Sequence, residues 1–231
     1  VLLSLPITFE AVIIPLLLSL KVAGLATVIA TILGVFMAWC AAKYDFWGKE
    51  ILDAVLTLPV VLPPTVLGYY LLVLLGRRGP IGAWLEAHFD INLIFTWQGA
   101  VIAASIVAFP LVYKSSRSSF EGVSRQFEDA SRVLGKTELQ VFCMITLPLA
   151  FRGILAGAML AFARALGEFG ATLMVAGSLP GRTQTLSIAV YEAVQAGHDQ
   201  IANFLVIVTS IVCIAVLLAS NYFLRPKYRL G

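Results

Sequence analysis

Two ionisable side chains lie within otherwise apolar sequence, and they are the first candidates for chemistry in this chain. Arg164 and Glu168 are four residues apart in AFARALGEFGAT, so one helical turn would place them side by side. Ionisable groups surrounded by lipid are costly and usually mark a function, such as a path for ions. Arg164 could give an anion path its positive potential, with Glu168 fixing its position, or the two could form a purely structural ion pair. Lys21, at the edge of another apolar segment, is either a further cation of that path or a lysine that reaches the membrane surface.

The segment LPVVLPPTVLGYY is a second candidate for such a path. Pro63 and Pro64 interrupt any helix there, and Thr65 and Gly68 follow directly. Irregular backbone at membrane depth is tolerated only where it faces protein or a water-filled cavity. Residues 59–68 are therefore either a pore or gate segment or a packed kink, and the sequence alone allows both.

Residue types that support catalysis are missing from the apolar segments. Both histidines, His88 and His198, lie in polar stretches between them, no HExxH motif occurs, and Glu168 is the sole carboxylate within them. Three cysteines, an odd number, are far apart in apolar sequence and indicate core residues: Cys40, Cys143 and Cys213. We therefore expect no catalytic, cofactor or metal site in this chain and no enzyme activity.

The composition requires that these residues be positioned by membrane helices. Of 231 residues, 60% are hydrophobic and only 13% are charged, and the mean hydropathy is +0.93. Soluble domains are about 25% charged, which excludes an ordinary soluble domain, and the same composition excludes a disordered chain, a disulfide scaffold and a coiled coil. The whole chain, residues 1–231, is interpreted as a single transmembrane domain.

The spans follow from the length of helix that a bilayer needs, about 20 apolar residues. Five segments meet or approach this length: 22–42, 54–76, 91–113, 139–176 and 201–224. The sequence thus predicts an all-α polytopic bundle of five helices. The fourth segment is long enough to hide a second, shorter helix, so six helices are the alternative.

The distribution of Lys and Arg predicts the orientation, because these residues accumulate in cytoplasmic loops. With five spans, one side holds Lys43, Lys49, Lys114, Arg117, Arg125, Arg132, Lys136, Arg152, Arg225, Lys227 and Arg229. The other side holds only Arg77, Arg78 and Arg182. The N-terminus is therefore expected outside and the C-terminus in the cytoplasm. The first residues, VLLSLP, have no basic region or cleavage site, so we expect no secretory signal there.

The long cytoplasmic loop, residues 114–148, is polar and contains helix signals. Ser118 with Glu121 and Thr137 with Gln140 have the spacing of capping boxes. Further signals are an i,i+4 pair, Glu128 with Arg132, a helix-stopping Gly135, and Pro148, which should kink or break a helix. The loop is predicted to form a short surface helix, a turn, and a capped helix that enters the membrane.

This loop resembles the EAA loop of bacterial ABC importer permeases, whose pattern is Glu-Ala-Ala-x3-Gly-x9-Ile-x-Leu-Pro. Asp129 and Ser131 are conservative departures from it. The resemblance implies a short coupling helix that docks on an ATPase subunit, and the implicated residues are Asp129, Ala130, Ser131, Leu134, Gly135, Ile145, Leu147 and Pro148.

Gly135-Lys136-Thr137 is similar to the end of a phosphate-binding P-loop, but the glycine that the motif needs five residues earlier is Ala130. ATP and Mg²⁺ are therefore expected on a partner ATPase chain, with no cofactor in this one.

Two further stretches, LPVVLPPTVLGYYLLVLLGRRGPIG and ARALGEFGATLMVAGSLPGRTQTL, resemble the molybdate permeases of the molybdate/sulfate branch of these importers. The resemblance implies the type I importer permease fold, a bacterial cytoplasmic (inner) membrane, import of molybdate and often tungstate, and no nucleic-acid partner. It also implies a homodimer, two ABC ATPase subunits and a periplasmic or surface-tethered oxyanion-binding protein, which would dock near Arg77, Arg78 and Arg182. Sulfate and thiosulfate permeases share much of the GEFGAT and PGRTQT pattern, so they are the alternative. The other alternative is a scaffold or receptor subunit that has no transport path of its own.

Overall fold

The computed structural model describes residues 9–224, and every regular element in that range is helical. In chain order these are α1 (Phe9–Lys43), α2 (Lys49–Val61), α3 (Pro64–Leu75), α4 (Pro80–Phe89), α5 (Trp97–Glu121), α6 (Arg125–Val133), α7 (Glu138–Val141), a π-helical turn (Phe142–Thr146), α8 (Leu147–Leu166), α9 (Gly170–Ala176), α10 (Leu186–Gln195) and α11 (Asp199–Leu224). Three cations used for the orientation, Arg225, Lys227 and Arg229, lie outside the described residues, as do the first residues of the chain.

Four helical stretches within residues 9–224 are long and apolar enough to cross a membrane: Val12–Lys43, Trp97–Glu121, Glu138–Leu166 and Asp199–Ala219. The pair α2 and α3 passes the same test as one unit, although it bends by 112° at its break. The alternative of a sixth span is not supported, because the 7-residue α9 that follows α8 is only about 10 Å long at 1.5 Å per residue.

The direction of the helices shows that the bent pair carries the chain across the bundle. In its first half α1 places Lys21 over the Trp97 ring at the start of α5, and further along Gly34 packs against Val112. The two helices are therefore parallel. Since the chain leaves α1 at one end of the bundle and begins α5 at the other, α2 and α3 must return it. The prediction of five spans is confirmed if the bent pair of α2 and α3 counts as one span. The predicted interruption at Pro63 and Pro64 is the break between these two helices.

Small residues allow α1, α5 and α8 to approach each other closely. Gly157 of α8 faces Ser115 and Val112 of α5, and the Ser115 hydroxyl donates a 2.7 Å hydrogen bond to the Gly153 carbonyl. Alanines fill the seams between the three helices, and those buried in one cluster are Ala23, Ala26, Ala30, Ala100, Ala104, Ala108, Ala161 and Ala165. Because apolar side chains gain little from leaving lipid, such close backbone approach is what holds membrane helices together.

The basic residues divide between the two ends of the bundle as the sequence predicts. One end, which we call the α6 end, contains the end of α1, α6 and the start of α8, with most of the described Lys and Arg residues. The opposite end, the α4 end, contains α4, the start of α5 and residues 177–185, with Arg77, Arg78 and Arg182.

The boundaries of the loop at the α6 end differ from expectation in two places. Helix α5 continues to Glu121, so Ser118 lies inside it and starts no helix. Pro148 breaks nothing, because a π-helical turn precedes it and the Leu147 amide donates to the Phe142 carbonyl instead. Pro148 then falls in the first turn of α8, where a missing N–H is tolerated.

Two other helix signals of this loop are confirmed. Thr137 and Gln140 form the predicted capping box at the start of α7. Gly135, at φ +77°, provides the left-handed turn that ends α6.

We expect Gly157→Val to destabilise the bundle, because a Cβ at Gly157 would lie 2.8 Å from the Ser115 Cβ. Overpacking of this kind costs about 1–3 kcal/mol, so the unfolding temperature in detergent should fall by several degrees. Gly24→Val is the matched control, since a Cβ there meets nothing within 4 Å. Equal unfolding temperatures for the two variants would contradict the close α5–α8 contact.

Candidate functional site

Helix α6 lies outside the bundle, and one of its sides is attached to the rest of the chain by hydrogen bonds and ion pairs. At 100° per residue, positions 128 and 132 fall on the same side. Glu128 accepts a 2.6 Å hydrogen bond from the Thr146 hydroxyl in the π-helical turn. Arg132 donates to Glu128 at 3.3 Å, which confirms the predicted i,i+4 pair, and also to Asp129 at 2.6 Å and Glu138 at 2.7 Å.

The Arg132 guanidinium is the centre of a charged network that reaches α1. The hydrogen bonds that Arg132 donates to Glu138 and then to Asp129 hold the pKa of Arg132 above its usual range, so this group stays charged. Glu138 also pairs with Lys43, the last residue of α1, at 2.6 Å. The network therefore fixes how α6 sits relative to both α1 and the foot of α8.

The opposite side of α6 is apolar and exposed. Val133 and Leu134 are 88% and 79% exposed, Phe127 is 58% exposed, and Ala130 lies between them. A contiguous apolar patch on a helix outside the bundle is typical of a protein-binding surface. We call these four residues, Phe127, Ala130, Val133 and Leu134, the free face of α6.

Sequence reasoning found only part of this surface. It named Ala130 and Leu134 but missed Phe127 and Val133, and also the neighbouring exposed Leu139. Apolar residues at 127, 130, 133 and 134 recur at helical spacing in a loop that is otherwise polar, and that signal could have found them.

The other residues of the motif do not lie on the free face. Asp129 is turned toward Arg132, and Ser131 is half-buried beside it. Gly135 ends the helix, while Ile145, Leu147 and Pro148 lie in the π-helical turn and the first residues of α8. The structure thus places Ala130 and Leu134 on the exposed free face and the rest of the motif in the attachment of α6.

The two interrupted segments of the chain meet each other. A Cβ on Gly68 of α3 would lie 2.7 Å from the Met174 Cβ in α9, and one on Gly170 would lie 3.0 Å from the Pro64 Cβ. One side of the 59–68 segment is therefore packed against α9. Pro63, Pro64 and Thr65 nevertheless remain exposed.

Glu168 is buried, and both of its carboxylate oxygens have partners. One lies 2.7 Å from a guanidinium nitrogen of Arg164 in an ion pair, and the other accepts a hydrogen bond from the Ala171 amide at 2.9 Å. The ion pair predicted from the spacing is present, and it also holds the first turn of α9. Arg164 is 38% exposed, so part of its guanidinium remains accessible beside the pair.

Candidate residues at the α4 end are held in different ways. Lys21 lies 3.5 Å from the centre of the Trp97 ring, a cation–π contact that ties α1 to α5. Arg77 pairs loosely with Glu86 at 3.5 Å, while Arg78 and Arg182 are exposed. Arg182 lies in a loop that is tied to α1, because the Leu186 amide donates to the Ser19 hydroxyl at 2.8 Å.

Among the residues described, no group of three or more His, Cys, Asp or Glu is placed to hold a metal ion.

Comparison with known protein families gives one match over most of the chain. The model of the binding-protein-dependent transport system inner membrane component family matches residues 30–230. The chain belongs to this family. As a member, this inner membrane component is a multi-span transport protein and not an isolated helical scaffold.

Two curated relatives of this inner membrane component differ in the anion that they are named for. The Escherichia coli (strain K12) molybdenum transport system permease protein ModB is 46% identical over 210 residues, which cover 90% of this chain and 92% of the relative. The sulfate transport system permease protein CysT of the same organism is 35% identical over 177 residues, covering 77% of this chain and 64% of the relative.

Solved structures of ABC transporters share the fold. A bacterial importer of the acidic polysaccharide alginate aligns with a TM-score of 0.77 at 15% identity, covering 95% of this chain and 81% of that one. The inward-facing MetNI methionine transporter aligns with a TM-score of 0.69 at 13% identity, covering 93% and 94%. The predicted all-helical type I permease fold is confirmed.

We expect Arg132→Gln to loosen α6, because glutamine cannot bridge three carboxylates. Hydrogen exchange of the backbone amides in residues 125–133 should become about fivefold faster, while that of α5 stays unchanged. Arg125→Gln is the matched control, since Arg125 is exposed on the same helix and lies outside the network. Similar exchange in both variants would contradict the role of Arg132 in fastening α6.

Proposed function

We propose that this chain is the permease subunit of an ATP-driven importer that moves molybdate, and also tungstate, across the bacterial cytoplasmic membrane. The observation that carries the proposal is the 46% identity to the E. coli molybdenum permease over nine-tenths of both chains. The sulfate permease is less similar and matches a smaller part of each chain. A sulfate or thiosulfate importer is therefore the second candidate.

The free face of α6 supports docking on an ABC ATPase subunit, which would hold ATP and Mg²⁺. Four neighbouring side chains form an apolar surface that nothing in residues 9–224 covers. The surface lies at the end of the bundle that is rich in Lys and Arg, which is the cytoplasmic end by the positive-inside rule. ATP hydrolysis then takes place on a separate chain, and this subunit is not itself an enzyme.

The α4 end then faces outward, and a periplasmic or surface-tethered binding protein would deliver the anion there. Arg77, Arg78 and Arg182 are exposed at this end and offer positive charge to an acidic partner surface. This orientation puts the N-terminus outside and the C-terminus in the cytoplasm. Two copies of the chain and two ATPase subunits would form the working importer.

Transport would follow alternating access, with closure of the ATPase pair moving the two α6 helices together. The anion would pass near the contact between the two interrupted segments. Pro63, Pro64 and Thr65 are exposed next to α9, and Gly68 packs against it. Arg164 could contribute positive potential there while Glu168 keeps it in place, and Lys21 could do so at the outer entrance.

Uptake of labelled molybdate in cells with and without this gene tests the cargo. We expect ATP-dependent uptake that requires the gene and is suppressed by excess tungstate but not by excess sulfate. Uptake that sulfate suppresses, or gene-dependent uptake of sulfate itself, would assign the chain to the sulfate branch. That result would leave the fold and the coupling helix unaffected.

Ala130→Arg tests the docking surface, because a long charged side chain in the middle of the free face should block a close-fitting partner. We expect co-purification with the ATPase subunit and stimulation of its activity to fall about tenfold or more. Ser124→Arg is the control, since it adds the same side chain at an exposed position whose hydroxyl makes no capping hydrogen bond. Normal ATPase binding by Ala130→Arg would refute the assignment of the free face.

A further inference from the structure

We propose that Glu128 and Thr146 form the contact through which movement of α6 is passed to α8, which makes both of them positioning residues for transport. The inference rests on the proposed function, because it assigns a role within an importer that is driven through α6. Neither residue belongs to the specified positions of the loop motif. Glu128 precedes Asp129, the first of them, and Thr146 occupies the unspecified position between Ile145 and Leu147.

The charged network and the turn at the end of α6 hold the helix in place, but they pass on a displacement less directly than a buried contact would. At its end the chain turns through Gly135, an exposed glycine with open space around it. The ion pair of Arg132 with Asp129 lies within α6 and only orients it. The pair with Glu138 joins side chains that are 32% and 59% exposed, and water screens such pairs strongly.

The Glu128–Thr146 contact has the opposite character. The Glu128 side chain is only 14% exposed, and Thr146 is 3% exposed within the bundle. The hydroxyl donates to the carboxylate at 2.6 Å, the length expected of a charge-assisted hydrogen bond, which is about twice as strong as a neutral one. A displaced α6 therefore pulls on a side chain that cannot move independently of its helix.

The hydroxyl of Thr146 is directed differently from those of similar residues in this chain. Thr27, Ser105 and Thr209 each donate to a carbonyl of their own helix four residues earlier. Thr146 instead donates to a residue 18 positions earlier.

The π-helical turn accounts for this difference. Within it the Leu147 amide pairs with the Phe142 carbonyl, which changes the local backbone pattern. The turn thus presents the Thr146 hydroxyl to α6 at the point where α8 begins.

From Thr146 a continuous helix leads to the candidate path. Helix α8 runs without interruption to Leu166. Near its far end Arg164 holds Glu168, which in turn holds the first turn of α9 against α3. A pull at Thr146 therefore acts on the element that carries Arg164 and positions α9.

The test uses the complete importer in proteoliposomes, with the ATPase subunits and the anion-loaded binding protein. In Thr146→Val and Glu128→Ala we expect molybdate uptake per ATP hydrolysed to fall about fivefold or more, while ATP hydrolysis stays within about twofold of wild type. Thr146→Ser and Glu128→Gln keep a donor and an acceptor, so they should retain most of the uptake. The double variant should be no worse than either single variant, because both remove the same contact.

Thr209→Val is the matched control, since it makes the same change at a hydroxyl that bonds only within its own helix. Wild-type uptake per ATP in both test variants, or a parallel loss of uptake and hydrolysis, would overturn the proposal. Glu128 lies on a helix outside the bundle, so its variant remains decisive if Thr146→Val lowers the amount of protein. If the wild-type importer takes up sulfate and not molybdate, only the proposed cargo is wrong. The uptake of sulfate per ATP hydrolysed is then measured in the same variants.

Discussion

Lipid provides no solvent-driven force that brings helices together, so this bundle depends on how closely α1, α5 and α8 can approach. Alanine, glycine and serine line the seams between them, and Gly157 leaves no room for a side chain against α5. Helix α5 contacts both of the others along its length, which makes it the centre of the bundle. The placement of α6 at one end and of α4 at the other follows from the directions that this packing sets.

Much of the architecture could be predicted because it depends on local sequence. Apolar length predicts the spans, Pro63 and Pro64 predict the break, and Thr137 with Gln140 predicts the start of α7. The spacing of Arg164 and Glu168 likewise predicts their ion pair, although Glu168 lies just beyond the end of α8 at Leu166.

What the sequence could not predict depends on contacts between distant segments. The span that was expected to end at Tyr113 continues for two more turns, because Ser116 and Phe120 are buried by neighbouring helices. The π-helical turn before Pro148 and the hydrogen bond from Thr146 to Glu128 arise only when α6 folds back on α8. The packing of α9 on α3 joins residues about a hundred positions apart, which no local pattern encodes.

The fastened side of α6 has a consequence for association with a partner. A short helix on a mobile loop would lose much of its conformational freedom on binding, and that loss would weaken the complex. Here the carboxylates around Arg132 and the bond to Thr146 order the helix within the free chain. The free face is therefore preorganised, and the entropy of ordering it is lost during folding of this chain and not at each encounter with a partner.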